Sequence, residues 1–197
     1  MGGVAHLEDG PRVVSVYEGF FSGGARILHS AVVRSLQRTT GQQHSVLSLT
    51  DRSQRESTTQ EARQDASYRL LAASGVAIDT LARTARQPLR RAQLAQVQRV
   101  TAAADVVLSL KEQPLAALAR VGAGGRPVVA CLHRSDPENS GPALDDLVAL
   151  VAQGVVTTAV CCARSTQAAY HAATGIALDR LPVVPNGVDL HLSLIHI

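Results

Sequence analysis

Short β-branched runs alternate with segments of helical period along this chain, and few folds accept that pattern. The clearest pair lies in residues 12–38, RVVSVYEGFFSGGARILHSAVVRSLQR. Val13-Val14-Ser15-Val16-Tyr17 has the length and composition of a strand buried on both faces of a parallel sheet. Ile27, Leu28, Ala31, Val32 and Leu36 then recur at helical spacing and mark the apolar face of an amphipathic helix. Glu18-Gly19-Phe20-Phe21-Ser22-Gly23-Gly24 joins the two. Strand, glycine loop and helix in that order make the first half of a βαβ unit. The free N–H groups at such a helix N-terminus, with the positive end of its dipole, suit a phosphate or carboxylate. Gly23 and Gly24, lacking a Cβ, allow close approach of a ligand. The loop matches neither GxGxxG nor GxxxxGK[ST], so a plain turn between strand and helix accounts for it equally.

The alternation continues. Gly41 is expected to stop the first helix. Residues 44–49 read as a second strand. Residues 50–66 read as a polar surface loop without periodicity, with a short helix after Glu61. Residues 68–73 and 75–78 suggest a short helix and a short strand. Pro88 suits the first position of a helix running to about Ala103, with Leu89, Ala92, Ala95, Val97 and Val100 inward. Residues 105–110 and 128–132 read as strands, each followed by a helix. Residues 155–162 form another strand, and Arg164-Ser165-Thr166 opens a helix capped by Ser165 and ended by Gly175. A short strand over residues 181–185 precedes the turn dipeptide Asn186-Gly187. The class is α/β with a parallel sheet.

In open parallel sheets the ligand lies outside the carboxyl ends of the strands. That rule selects Glu18 to Gly24, Ser48 to Asp51, Lys111 to Gln113, His133 to Asp136, and Ala163 to Thr166.

Composition removes other classes. The chain has 197 residues, 46% of them hydrophobic, enough for one sizeable core. No apolar run approaches the ~20 residues of a membrane span. The opening MGGVAHLEDG lacks the layout of a signal peptide, which sets a cytoplasmic expectation. Cys131, Cys161 and Cys162 are spaced for neither a disulfide framework nor a zinc site, and read as small buried hydrophobes. Net charge is +3 and Lys111 is the sole lysine. Aromatic residues are 3% with no tryptophan, so stacking platforms for nucleic acid are missing. Arg83, Arg86, Arg90 and Arg91 gather at a helix N-terminus, where the dipole disfavours cations. They suggest an anionic partner such as lipid headgroups, peripheral at the inner face of a membrane. An ordinary solvated face accounts for them too.

Taken together, the FSGGAR loop, ADVVLSLKEQP, RPVVACLHRSD and VCCARSTQAAYHAATGIALDRLPVVPNGVDL resemble the N-terminal domain of glycosyltransferase family 4, over residues 12–189. The resemblance implies a Rossmann-like, doubly wound parallel sheet with helices on both faces, the N-terminal half of a GT-B fold. It implies an enzyme moving a sugar from a nucleotide-diphosphate sugar to a sugar, lipid-linked or small-molecule acceptor, with retention and without metal or other cofactor. Gly23 and Gly24 would meet the donor diphosphate or the acceptor. His133 would hydrogen-bond a hydroxyl of the transferred sugar. Glu112 would orient the acceptor hydroxyl or take its proton, or else simply pair with Arg134 or Lys111. Lys111, Arg134, Asp136 and Ser165 complete the expected donor and acceptor contacts. Arg26 stands where the family often has an acid, which favours an anionic acceptor.

The family's C-terminal, donor-gripping domain is missing from the chain, so the piece alone is expected to be inactive. Residues 1–11 read as a flexible tail. Residues 190–197 read as a truncated hinge with a non-native end, Leu192 to Ile197 looking like translated sequencing adapter. Two other readings stay open: a stand-alone Rossmann-like binding module, and a dinucleotide oxidoreductase. The latter is weakened because no GxGxxG is present and Asp51 falls one residue late after the second strand.

Overall fold

The computed structural model describes residues 10–21, 23–55 and 58–187. Residues 1–9 of the expected 1–11 tail, all of the expected 190–197 end, and Ser22 of the glycine loop lie outside the described residues. In chain order the elements are β1 (Arg12–Tyr17), α1 (Gly24–Thr39), β2 (Gln43–Ser48), β3 (Arg52–Arg55), β4 (Thr58–Glu61), α2 (Ala66–Ala73), β5 (Ala77–Thr80), α3 (Arg91–Ala102), β6 (Val106–Leu110), α4 (Leu115–Val121), β7 (Val128–Leu132), α5 (Pro142–Ala152), β8 (Val156–Cys161) and α6 (Arg164–Thr174).

Six strands make one sheet in the order β5-β2-β1-β6-β7-β8, every neighbouring pair parallel. The chain works outward from β1 to one edge, then returns through α3 to start β6 on the other side. The order therefore reverses between β1 and β6, and a crevice opens above their carboxyl ends. This is a Rossmann-like, doubly wound α/β fold.

Both sheet faces carry helices, so strand residues of either parity are apolar. One core joins Val16, Leu47 and Val107 to Val97 of α3, Leu118 of α4 and Leu147 of α5. The other joins Tyr17, Val46 and Leu110 to Val33 of α1 and Leu71 of α2. The second core reaches β7 only through partly buried Cys131 and stops short of β8. Leu108, Val129, Cys131 and Val160, all on the α1 side, remain partly exposed. Ile27 and Val32 of α1 are 58% and 41% exposed beside them.

Several local expectations change. The buried face of α1 is Arg26, Ser30 and Val33 rather than the apolar stripe. Polar contacts set its rotation: the Tyr17 hydroxyl meets His29 Nδ1 at 2.9 Å and lies 3.4 Å from Ser30 Oγ. The helix ends on Thr40 in extended conformation, whose N–H and hydroxyl both donate to the Leu36 carbonyl. Gly41 is not among the left-handed glycines. The polar stretch after β2 contains the antiparallel β3–β4 hairpin and a 3-10 turn at Ala62–Gln64.

Helix α3 starts at Arg91, three residues beyond Pro88. The intervening chain is held by Arg83, which donates to the Gln87 and Ala85 carbonyls, and Arg90 is extended. Its inward residues are Val97 and Thr101, while Ala92 and Ala95 are exposed. Ala163, not Ser165, is the N-cap of α6, and no side chain caps that end. The strand expected over 181–185 is a single bridge, Val183 to Cys161.

Candidate functional site

The carboxyl ends of β6, β7 and β8 and the start of α1 border a cavity of about 470 Å³. Gly24, Lys111, His133, Arg134 and Asp136 line it, with Asn186 at one side. The strand-end rule and the fold thus converge on the same place. Helix α1 points its N-terminus here, with neither a side-chain cap nor an acid in its first turn. A Cβ built on Gly23 or Gly24 would meet nothing within 4 Å, so the backbone of that turn borders open space.

Lys111 sits at the switch point in an unusual backbone state. Its φ is +69°, the only positive value at a non-glycine among the described residues. Such a conformation costs of order 1 kcal/mol and must be held by its surroundings. Lys111 N–H donates to the Cys131 carbonyl at 2.9 Å, and Ser109 Oγ donates to the Lys111 carbonyl at 2.8 Å. These bonds pin the β6 turn to β7 and hold the ammonium-bearing residue against both the large cavity and a smaller one below it.

His133 follows β7 and is partly buried. Burial, then the charge of Lys111, lowers its pKa below the usual histidine value, with Glu112 opposing. At neutral pH it is therefore an uncharged ring that can both give and take a hydrogen bond.

Glu112 has a different place from the other acidic candidates. It is fully buried. Tyr170 Oη donates to Glu112 Oε1 at 2.9 Å, the Ser140 hydroxyl donates to the same oxygen, and Arg134 Nε lies 3.4 Å away. Three loops are tied by one carboxylate: the end of β6, the turn Pro137–Ser140, and α6. In this arrangement Glu112 lies against Arg134 and is not among the residues that line the cavity. Tyr170 and Ser140 carried no sequence signal for this role, because only the fold brings them to Glu112.

Arg26 is also committed to protein. It is 6% exposed, donates to the Gly19 carbonyl at 3.2 Å, stacks over Phe21 with its guanidinium carbon 4.9 Å from the ring centre, and lies 3.9 Å from Asp65. That neutralised setting removes the ground for reading it as a grip for an anionic acceptor. Ser165 is exposed on the second position of α6 and does not line the cavity. Arg83 is spent on carbonyls, including Leu49 O at 2.9 Å, whereas Arg86, Arg90 and Arg91 are exposed.

A second, more apolar cavity of about 160 Å³ opens between α1 and the uncovered strands, bordered by Leu28, Val32, Val160 and Val184. His29 and His133 share its wall. Burial, with the neighbouring histidines His133 and His44, lowers the His29 pKa to about 4. Cys131 borders this cavity and Cys161 is buried beneath the other face; burial pushes both thiols up to about 11, so neither is a ready nucleophile. No three metal-ligating side chains converge among the described residues, and no described helix is long and apolar enough to cross a membrane.

No protein-family model and no curated protein matches the sequence. Solved structures do match the fold. Anabaena Alr3699/HepE in complex with UDP and glucose superposes with a TM-score of 0.70 at 18% identity, over 93% of this chain and 46% of that one. The same protein in complex with UDP-glucose gives 0.67 at 18% identity, again over 93% and 46%. The apo form of the lipopolysaccharide outer core galactosyltransferase WaaB gives 0.62 at 11% identity, over 91% and 46%. The chain spans about half the length of these structures. At such identities the likeness establishes the fold.

Proposed function

We propose that this chain builds the acceptor-side wall of a glycosyltransferase cleft, the N-terminal domain of a family 4, GT-B enzyme. The whole enzyme moves a sugar from a nucleotide-diphosphate donor to an acceptor hydroxyl with retention and without a metal. The observation that carries the reading is the convergence of Gly24, Lys111, His133 and Arg134 on one cavity at the β1/β6 switch point. As the glycosidic bond to the donor breaks, negative charge develops on the leaving diphosphate. Lys111, Arg134 and the α1 N-terminus are positive groups positioned for such charge. Neutral His133 orients a hydroxyl of the transferred sugar, and Glu112 holds Arg134 in place. One wall alone does not enclose a donor, so the chain by itself is inactive. Exposed Arg86, Arg90 and Arg91 offer a basic edge to a membrane carrying a lipid-linked acceptor, a contact that co-sedimentation with anionic vesicles would reveal.

Calorimetric titration of the chain with UDP and UDP-glucose tests the reading. Weak binding is expected, on the order of 1 mM or somewhat tighter, or about 4 kcal/mol. Lys111→Ala and Arg134→Ala should each weaken it about tenfold, the loss of a charge-assisted hydrogen bond. A folded chain that binds neither ligand at 10-fold higher concentration, about 10 mM by the same scale, would overturn the placement of the donor diphosphate at Lys111 and Arg134.

A further inference from the structure

Two carboxylates stand at the switch point, and the fold treats them oppositely. Glu112 is sealed in, its Oε1 accepting from Tyr170 and Ser140 with Arg134 alongside, while its Oε2 has no hydrogen-bond partner. Glu18, the residue after β1, is only partly buried. Its backbone carbonyl accepts from Thr50 Oγ1 at 3.0 Å, but its carboxylate is in none of the ion pairs among the described residues. It borders a niche of about 30 Å³, walled also by Gly19, Gly23, Arg26 and Lys111. That is room for one or two small groups of about the size of a water molecule. Lys111 forms a wall of this niche and of the large cavity alike, so the niche adjoins the site where the donor diphosphate is placed above.

The contents of the niche follow from its walls. The Arg26 guanidinium is engaged with Gly19, Phe21 and Asp65. The open polar group is an acceptor-only carboxylate. Lys111, Arg134 and Arg83 influence it electrostatically, and burial outweighs them to raise its pKa, with Glu112 adding to the rise. A raised pKa makes a better hydrogen-bond acceptor. Directly beside an unpaired carboxylate a neutral hydrogen-bond donor is favoured over a second anion, and the niche is too small for a ring. A single neutral hydroxyl satisfies size, charge and polarity together.

We propose that Glu18 is the residue that receives the acceptor hydroxyl, so that the acceptor presents a neutral polyol group, not an anionic one, to the end of β1. The inference rests on the glycosyltransferase reading and sharpens it: Glu18 binds the acceptor, while Lys111 and Arg134 face the donor. The expectation of an anionic acceptor based on Arg26 is replaced by a neutral one based on Glu18.

The test uses the full chain labelled with ¹³C at glutamate carboxyls, the Glu18 resonance being the one lost in Glu18→Gln. Glucose is the neutral probe, glucuronate the anionic one, and UDP the donor-side probe. Glucose should move the Glu18 resonance, and glucuronate should do so at least threefold less tightly. Glu18→Ala should weaken glucose about tenfold, the loss of one charge-assisted hydrogen bond, and Glu18→Gln by less, with UDP binding changed less than twofold in both. Glucose that perturbs His133 but leaves Glu18 unmoved, or binds folded Glu18→Ala and Glu18→Gln as well as the parent, overturns the assignment. UDP binding without any glucose response sinks the Glu18 proposal and spares the glycosyltransferase reading. A glucose response at Glu18 with no UDP binding sinks the placement of the donor diphosphate at Lys111 and Arg134 and leaves a sugar niche.

Discussion

Replacing Glu112 by alanine should cost the fold about 3 kcal/mol, and the reason can be separated into parts. Tyr170 is fully buried and gives its hydroxyl to Glu112 Oε1 at 2.9 Å. Deprived of that acceptor, the hydroxyl bears a desolvation penalty of about 1–3 kcal/mol. The truncated side chain leaves a small void worth about 1 kcal/mol. Arg134 is 30% exposed overall and Nε makes no hydrogen bond to Glu112, so its contribution is small. Against these losses stands the relief of no longer burying a carboxylate, which keeps the total toward the lower end of the ~3–5 kcal/mol seen when one partner of a buried pair is removed. For a chain of this size the melting temperature should fall by about 6–12 °C.

The decisive comparison is a double-mutant cycle followed by urea unfolding at pH 7. Tyr170→Phe alone should cost about 2 kcal/mol, since it removes a hydrogen bond to a charged group. In the Glu112→Ala background the same change removes a hydroxyl with no acceptor, and should be neutral or stabilising. The coupling is then about 2 kcal/mol or more, far outside the ~0.5 kcal/mol scatter of independent sites. If Tyr170→Phe costs the same in both backgrounds, Glu112 is not the hub that ties α6 to β6, and its proposed hold on Arg134 fails with it.

Two further outcomes follow from the same structure. His29, lowered to about 4 from 6.5, takes its proton in the unfolded chain before it does in the folded one. Stability from this group is full above about pH 6.5 and falls as the pH drops from there toward 4, by about 2–3 kcal/mol after allowing for its contact with an open cavity; His29→Gln should flatten urea midpoints measured between pH 7 and pH 4. Gly19→Ala should cost about 1–3 kcal/mol by overpacking, because its Cβ would strike Thr50 Oγ1, the group that ties β2 to the Glu18 carbonyl; Thr50→Ala in the same chain should recover part of the loss in thermal melts.

The parallel sheet was legible because burial on both faces makes its central strands continuous apolar runs. Residues 128–132 were delimited correctly to the residue, and β1, β6 and β8 within one or two. The β3–β4 hairpin was not legible. Its strands, RSQR and TTQE, form a two-stranded ribbon off the main sheet and have no apolar alternation to announce them. The rotation of α1 was misread for a related reason. Periodicity locates an apolar stripe, but whether that stripe turns inward depends on what already occupies the space beneath. Here Tyr17, His29, Ser30 and Arg26 form a polar seam under the helix, and the stripe faces the trough over β7 and β8 instead. Strand ends pointed to Lys111, His133 and Arg134, which line one cavity. They could not distinguish Glu112, which is sealed, from Glu18, which is open, since both are acids directly beyond an apolar run.

That last distinction links stability to function. A carboxyl whose pKa is raised in the fold binds its proton more readily there than in the unfolded chain. Its ionisation therefore costs stability, and the loss sets in as the pH rises through the ordinary carboxylate value. Glu18 is such a group at neutral pH, and nothing among the described ion pairs compensates it. Glu112, by contrast, is a buried acid whose Oε1 is given two hydroxyl donors and an ion-pair contact. Within one crevice, then, the fold spends its hydrogen-bond donors on the acid that fixes the loops and withholds them from the acid that borders the niche. Lys111 repeats the pattern on the cationic side, with a strained φ of +69° held by bonds to Cys131 and Ser109. Uncompensated charge and held strain coincide at the β1/β6 switch point, where a ligand that donates to Glu18 and accepts from Lys111 would relieve the first and make use of the second.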